Sequence, residues 1–566
     1  MKTAAPTAVA MHWFRKGLRL HDNPSLLKAL DIGSSVYPVY ILDGDCYQLK
    51  HCSVMRANFL LECLVDLDDQ LQAAGSRLYV AKGDPTTVLP ELWGQFSVTD
   101  LCFEEDETGE PYGTERDRAV RELATSRGIQ VHTFASETLH ALAEYAEKSR
   151  GKNGESAVPF SMSSFQKLFR RMGPPCQPLD APTQFPMNND SPQVESRYRI
   201  PSKATGIPWP RNVPREAVTP LWGPDDCSKA QAPIVRGGET KALEQLCTAT
   251  QDAVRIATFE KPKTSYTATD TPSTLCISPY MSVGCLSPRT VWWKLEEVIA
   301  QVPSTPRSKP PVSLHGQLLW RDFNNLMAHT CNEERTGSWG NAHSMPVRFC
   351  RKIPWEHDDR LLQAWRSART GYPWIDACLT QLHATGWIHH LGRHAVACFL
   401  TRGDLWQSWE QGALHFESHL LDADYALNVF NWLWLSCSGF FYQYFRCYSP
   451  VAFAKKQDPT GTYIRKWLPA LRKLPAKYIY EPWDAPSDVL RAAGIRIGVD
   501  YPEQVVEHKE ASKRNMERLA AAYDQHKKST ATAVEDREAA TTQTSSKRKG
   551  TTNEKTAWKK LNTKRN

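Results

Sequence analysis

Short apolar runs alternate with helical periodicity through the first quarter of the chain. Val9-Ala10-Met11-His12-Trp13-Phe14, Val36–Leu42, Arg77–Val80, Asp100–Phe103 and Ile129–Phe134 are each of strand length, and helix-sized intervals separate them. Arg56 to Ala74 repeats its apolar residues at three and four. This alternation predicts a parallel, doubly wound α/β sheet over residues 6–140. No G-x-G-x-x-G opens a helix there, so a dinucleotide fingerprint is not supported. Residues 141–236 are expected to form an interdomain linker with short helices, because Pro174–Trp222 is rich in Pro, Asn and Ser. From about Gly237 the period becomes helical, with Trp, Leu and Ala recurring at three and four. This predicts a large all-α domain over residues 237–525, closed by a charged helix over Val505–Lys528. The Thr/Ser/Lys-rich residues 526–566 are expected to be a short, disordered basic tail.

Composition refines this picture in three ways. With 566 residues the chain can bury two or three domains. No apolar run is long enough to span a membrane and no signal-peptide pattern opens the chain, so an intracellular protein without a membrane partner is expected. The 15 cysteines are scattered without a C-x-x-C, which argues for reduced thiols rather than a disulfide or zinc framework. The net charge of +7 is unevenly placed. From Ser529 onward nine Lys/Arg oppose four acids, so the tail holds +5 and the body keeps +2. Nucleic-acid affinity in the body therefore requires a local basic patch.

Candidate chemistry concentrates in Trp387–Leu400, read as a buried or half-buried helix. His390 and His394 are four apart and share a face. Two imidazoles so placed suit proton exchange near neutral pH, since an unperturbed His titrates near 6.5. Downstream lie Asp422, Asp424 and Asn428, then the aromatic run Phe430-Asn431-Trp432-Leu433-Trp434. Acids, an amide and indoles beside a histidine pair suggest a redox-cofactor pocket. No metal ligand set is read, because H-E-x-x-H is absent and no Cys or Glu stands at matching spacing. The chain holds 19 Trp, most of which are expected to fill core.

Ordered motifs along residues 8–525 resemble the cryptochrome/photolyase flavoproteins, in the branch of animal-type cryptochromes and (6-4) photolyases. They are Trp13-Phe14-Arg15-Lys16-Gly17-Leu18-Arg19-Leu20-His21-Asp22-Asn23-Pro24, Ser278–Ser287, Gln317–Phe323 and Pro475–Trp483. The resemblance implies an FAD within the α domain, above a cavity that admits a flipped-out lesion. It implies flavin-binding roles for Lys263, Thr274, Ser278, Gln317, Trp320, Arg321, His390, Arg393, Asp422, Asp424 and Asn428, with Arg393 paired to Asp422 and Asn428 facing flavin N5. An ion pair that merely orders the core is the plainer reading of Arg393 and Asp422. The resemblance also implies an electron path through Trp432, Trp409 and Trp355. Trp406, three residues before Trp409, is expected to lie one helical turn away as a fourth, outer member. An antenna chromophore in the first domain is open, with a deazaflavin preferred to a folate.

Dimer-repairing photolyases carry Asn where His390 stands and Glu where Gln317 stands, so His390, His394 and Gln317 are read as catalytic residues of (6-4) repair. His394 is expected to act as general acid and His390 to orient it. The expected partner is UV-damaged double-stranded DNA with the lesion flipped out. Arg446 would fill the gap, and Lys167, Arg170, Arg171, Lys455 and Lys456 would meet phosphates; plain solvated charge is their alternative. The competing function is an animal-type cryptochrome light receptor or transcription regulator with transcription-factor partners, and some members of the family do both. A monomer is expected. Lys547-Arg548-Lys549 and Lys559-Lys560 suggest nuclear import or nonspecific DNA attraction.

Overall fold

The computed structural model describes residues 8–46, 49, 52–151, 158–186, 198–202, 233–268, 272–333, 350–440 and 443–528. The basic tail and most of Pro174–Trp222 thus lie outside the described residues.

Five strands, β1 (Val9–Phe14), β2 (Ser35–Leu42), β3 (Tyr79–Lys82), β4 (Asp100–Glu104) and β5 (Gln130–Phe134), form one sheet in the order β3-β2-β1-β4-β5. Every pairing is parallel, with Trp13 opposite Val39 and Leu101 opposite Val131. The expected doubly wound sheet is therefore present, and its strands fall within two residues of the apolar runs. Strand β1 shows why the sheet needs cover on both sides. Ala10 and Phe14 enter one apolar cluster and Met11 and Trp13 the other, as alternate residues of a pleated strand must. Crossover helices begin where the chain supplies caps. Pro stands in the first turn at Pro24, Pro85 and Pro111. Ser53 caps the long helix Val54–Ala73 by accepting from Arg56 N at 3.3 Å.

Within residues 141–236, where short helices are expected, Leu142–Ser149 and Met162–Met172 are packed elements. Tyr145 donates its hydroxyl to the buried Asp322 at 3.0 Å, and Phe165 and Phe169 pack at a tilt against Phe323 and Trp292. The remainder, from Glu239, is helical as expected. A final helix over 508–528 is moored where Asn515 donates to Asp404 O at 3.1 Å and Tyr523 to Cys437 O at 2.7 Å. Among the described residues no helix is long and apolar enough to cross a membrane. The described cysteines are free thiols, most of them buried.

Buried polar bonds join the two domains. Asp22, fully buried, accepts from Arg289 Nε at 2.9 Å and from Leu179 N at 3.1 Å, and also from the Ser287 hydroxyl. Glu239 accepts from Leu20 N at 2.7 Å and His21 N at 3.0 Å.

Candidate functional site

Four segments of the helical domain converge. They are the turn Lys261–Lys263, the helix His390–Cys398, the helix Trp409–His419, and the helix Tyr425–Leu435 capped by Asp424. The histidine segment starts later than its apolar pattern suggested. His389 is the cap, accepting from Leu391 N through Nδ1 at 3.3 Å, so Trp387 to Ile388 lie outside the helix. His390 and His394 still share a face, with ring centroids 5.7 Å apart. His394 Nδ1 is 3.1 Å from the Tyr448 hydroxyl. Tyr448 carries no role in the sequence reading, although it stands two residues from Arg446. Nothing short of the fold joins it to His394.

The environment changes the proton chemistry. Burial, then the neighbouring cations Lys261 and Arg393, push His394 down to about 4. Burial and then Arg393 push His389 down to about 3. His390 is held far below its ordinary value by burial and then by His389. These imidazoles are neutral at pH 7, so the expected exchange of a proton between a pair titrating near 6.5 does not hold for the protein alone. Low dielectric and a surplus of cations disfavour a further positive charge.

Arg393 and Asp422 pair as expected. The contact is bidentate, with Arg393 Nη1 to Oδ1 at 3.1 Å and Nη2 to Oδ2 at 2.8 Å, and Ser278 donates to the same carboxylate at 2.8 Å. Thr274 lies partly buried nearby, its hydroxyl 3.5 Å from Cys276 Sγ. Asp424 caps its helix through Leu427 N at 3.1 Å and lies 3.8 Å from Arg321. Arg321 also donates to Glu137 O, so it bridges to the first domain instead of lining an open pocket. Asn428 donates its amide to Ala413 O at 2.9 Å. Gln317 is turned toward the start of its own helix, donating to Pro311 O at 3.1 Å and Ser313 O at 3.4 Å rather than to either histidine. Trp320 meets Trp434 edge-on at 5.8 Å.

The reading of Lys263 is corrected. Its side chain is 73% exposed and paired with Glu260 at 3.0 Å. In a 3-10 turn, residues two apart point to different sides, and here Lys261 is the half-buried one, turned toward Arg393 and Asp422. Burial, then Arg393, lowers Lys261 to about 8, with Asp422 as the opposing charge. The residues present fit an anionic cofactor. Lys261 and Arg393 share one facing carboxylate, and His390 Nδ1 is buried without a hydrogen-bond partner.

Three of the four expected relay indoles are buried, namely Trp432, Trp409 and Trp406. Trp432 packs the edge of its six-membered ring against Gly412, three residues along the helix that Trp409 begins. A Cβ on Gly412 would stand 2.1 Å from Trp432 Cη2. Trp355 and Trp406 are paired at 4.8 Å. Trp406 is not outer, however, being only 2% exposed beneath Leu519 and Ala522 of the final helix. Nor is it a helical turn from Trp409. Ser408 caps the helix, and Trp406 precedes it in a turn with φ +57°.

A cleft of about 450 Å³ opens beside this group, lined by His394, Arg402, Trp434, Arg446, Tyr448 and Phe453, among others. Arg446 is exposed at its edge. Lys455 and Lys456 follow Phe453 and are exposed, Lys455 within 2.7 Å of Glu481. Lys167, Arg170 and Arg171 are exposed on the separate helix Met162–Met172 and are not among the cleft residues.

Comparison with known proteins agrees with this arrangement. Residues 10–175 match the family described as DNA photolyase, and residues 313–521 match the FAD binding domain of DNA photolyase. The chain is 42% identical over 524 residues to Cryptochrome-1 of Rattus norvegicus, covering 91% of this chain and 83% of that protein. It is 41% identical to Cryptochrome-2 of Gallus gallus, covering 91% and 84%. The fold superposes with TM-score 0.73 on a bacterial class III photolyase of Agrobacterium tumefaciens, at 27% identity over 93% of this chain and 99% of the other. It superposes equally, TM-score 0.73, on a Synechocystis cryptochrome, at 26% identity over 91% and 100%.

Proposed function

Because the chain belongs to the cryptochrome/photolyase family and carries its FAD-binding domain, we propose that it repairs (6-4) pyrimidine–pyrimidone photoproducts in UV-damaged duplex DNA under near-UV or blue light. The observation that carries this reading is the His394–Tyr448 pair on the wall of a cleft edged by Arg446. When bound, FAD supplies light absorption and one-electron chemistry. Lys261, Ser278, Arg393 and Asp422 would hold it. Trp432, Trp409, Trp406 and Trp355 would form a relay of indoles between pocket and surface.

The chain's own part is proton placement. Tyr448 engages His394 Nδ1, so the ring is fixed and Nε2 is the atom left to meet a substrate oxygen. With a value of about 4, His394 is protonated in about one molecule in a thousand at pH 7. A general acid works best near the operating pH. A lesion phosphate seated by Arg446, Lys455 and Lys456 supplies the negative charge that raises His394 toward that range. The acid is thus armed by its substrate. His390, one turn away, limits how the His394 ring can turn.

The test uses full-length, FAD-loaded, chemically reduced protein with duplexes carrying one (6-4) lesion or one cyclobutane dimer. Illumination is expected to restore only the (6-4) substrate. His394→Ala is expected to bind the damaged duplex and repair it roughly 10²–10⁴-fold more slowly. Equal repair of both lesions would defeat the reading.

The 42% identity to Cryptochrome-1 favours a second reading, light reception or transcriptional regulation. Light-dependent partner binding without repair of either lesion would select it. Nuclear localisation, proposed from the basic tail clusters, is checked by imaging a chain truncated at Ser529.

A further inference from the structure

Beside Trp365, whose ring meets both Trp432 and His415, two helices bring three histidines to one point. His383 lies in the last turn of the helix Pro373–Thr385, and His415 and His419 lie one turn apart on Trp409–His419. Their nearest ring nitrogens all fall within 4.8 Å of one another. His383 Nε2 and His415 Nε2 face each other at 3.0 Å. No role described above uses these residues. Each pair is separated too far in sequence, or spaced too commonly, to read as a motif before the helices are docked.

We propose that His383, His415 and His419 bind a divalent first-row metal ion of the zinc class, clamping the two helices behind the tryptophan relay. Three nitrogen ligands with Zn–N of 2.0–2.1 Å require nitrogens about 3.4 Å apart. The His383–His415 edge is 3.0 Å and the other two are no longer than 4.8 Å, so modest turning of the rings closes the site. The histidine chemistry suits a metal. His419 Nδ1 lies 3.0 Å from His415 O, which fixes the proton on Nδ1 and leaves Nε2 as the lone-pair atom. His415 is packed by the Trp365 ring at 5.1 Å. Imidazole is a preferred donor for zinc, copper and nickel. Three ligands leave a fourth position for water or an anion.

The position explains what such a clamp would do. His383 is three residues before Gly386, where the chain turns toward His389–Arg393. His419 is three residues before Asp422. The ion would tie together the two segments that supply the Arg393–Asp422 pair.

The test uses full-length, FAD-loaded protein stripped with a chelator and then dialysed against Zn²⁺. One equivalent is expected to bind to the wild type. His383→Gln and His419→Gln are each expected to weaken binding beyond the roughly 10–100-fold lost when only a supporting group is removed. Zinc should raise the unfolding midpoint of the wild type and leave that of the variants in place. Co²⁺ read on the wild type alone keeps the proposal testable if a variant fails to load FAD. Visible d–d bands without a thiolate charge-transfer band are expected. Zinc bound equally by wild type and variants, no tight equivalent in the wild type, or a thiolate band from Co²⁺ would each overturn the proposal.

Discussion

The contact between Gly412 and Trp432 permits a sharp test of how the relay is seated. Adding one methyl at residue 412 places a carbon 2.1 Å from Trp432 Cη2, 2.4 Å from Cζ3 and 2.7 Å from Leu400 Cδ2. No van der Waals contact tolerates such distances, so the indole must move. Overpacking of this kind costs about 1–3 kcal/mol, against a helix-propensity gain for Ala of about 1 kcal/mol at most. With a contact this short the cost lies toward the upper end of that range, so Gly412→Ala is expected to destabilise the FAD-loaded protein by about 2 kcal/mol. It should also slow blue-light photoreduction with an external thiol. Trp432→Phe removes the atoms that clash. It loses packing and a relay indole, so it too should lower stability and slow photoreduction. In the double variant the new methyl occupies space the indole has left. Its loss of stability should fall short of the sum of the single losses by 1 kcal/mol or more, as expected for residues in direct contact. Thermal unfolding of the four proteins and transient absorption of the four flavins give the full cycle. Additive losses, or unaltered photoreduction in Gly412→Ala, would show that Trp432 is not seated on this helix.

Three further outcomes follow from the site and the core. The (6-4) repair rate of the wild type should fall as pH rises through the substrate-bound value of His394, and Tyr448→Phe should displace that limb; a flat profile from pH 6 to 9 would remove His394 as the acid. His12 is 1% exposed and lowered to about 3, chiefly by burial, so the unfolded chain takes up a proton below pH 6.5 that the folded chain refuses. Between pH 7 and pH 5 the wild type should consequently lose about 2 kcal/mol more stability than His12→Gln; equal losses by denaturant titration would refute the assignment. Asp422→Asn leaves Arg393 and Lys261 without their carboxylate, and the release of FAD from purified protein should change at least several-fold; unchanged retention would place the cofactor elsewhere.

The sheet was legible because each strand is bounded by turns and the apolar residues of β1 to β4 are forced by burial on both faces, while the edge strand β5 keeps the apolar spacing without full burial. The His390–His394 relation was legible because helical spacing alone sets it. Legibility ended where caps and turns intervene. Ser408 starts a helix between Trp406 and Trp409, so a three-residue spacing ceased to mean one face. A single 3-10 turn decided that Lys261, not Lys263, would turn toward Arg393 and Asp422. Tyr448, and the meeting of His383 with His415 and His419, depend on docking between distant helices, which no local period reports. Proton affinities were hidden for the same reason, since the cations that depress His394 arrive from separate segments.

The bonds that Asp22 and Glu239 make across the two domains also bear on how the chain comes off the ribosome. The sheet could assemble as soon as its five strands emerge, yet Asp22 meets Arg289 only across 267 residues of sequence. At about 5–20 residues per second, that wait lasts roughly a quarter to nearly a full minute. Throughout it, a carboxylate destined for complete burial has no guanidinium, and the apolar surface around it has no helical cover. The nascent sheet domain is thus a ready client for chaperones. Substitutions at Asp22 or Arg289 should lower the yield of soluble protein more than they harm the chemistry of the molecules that reach the native state.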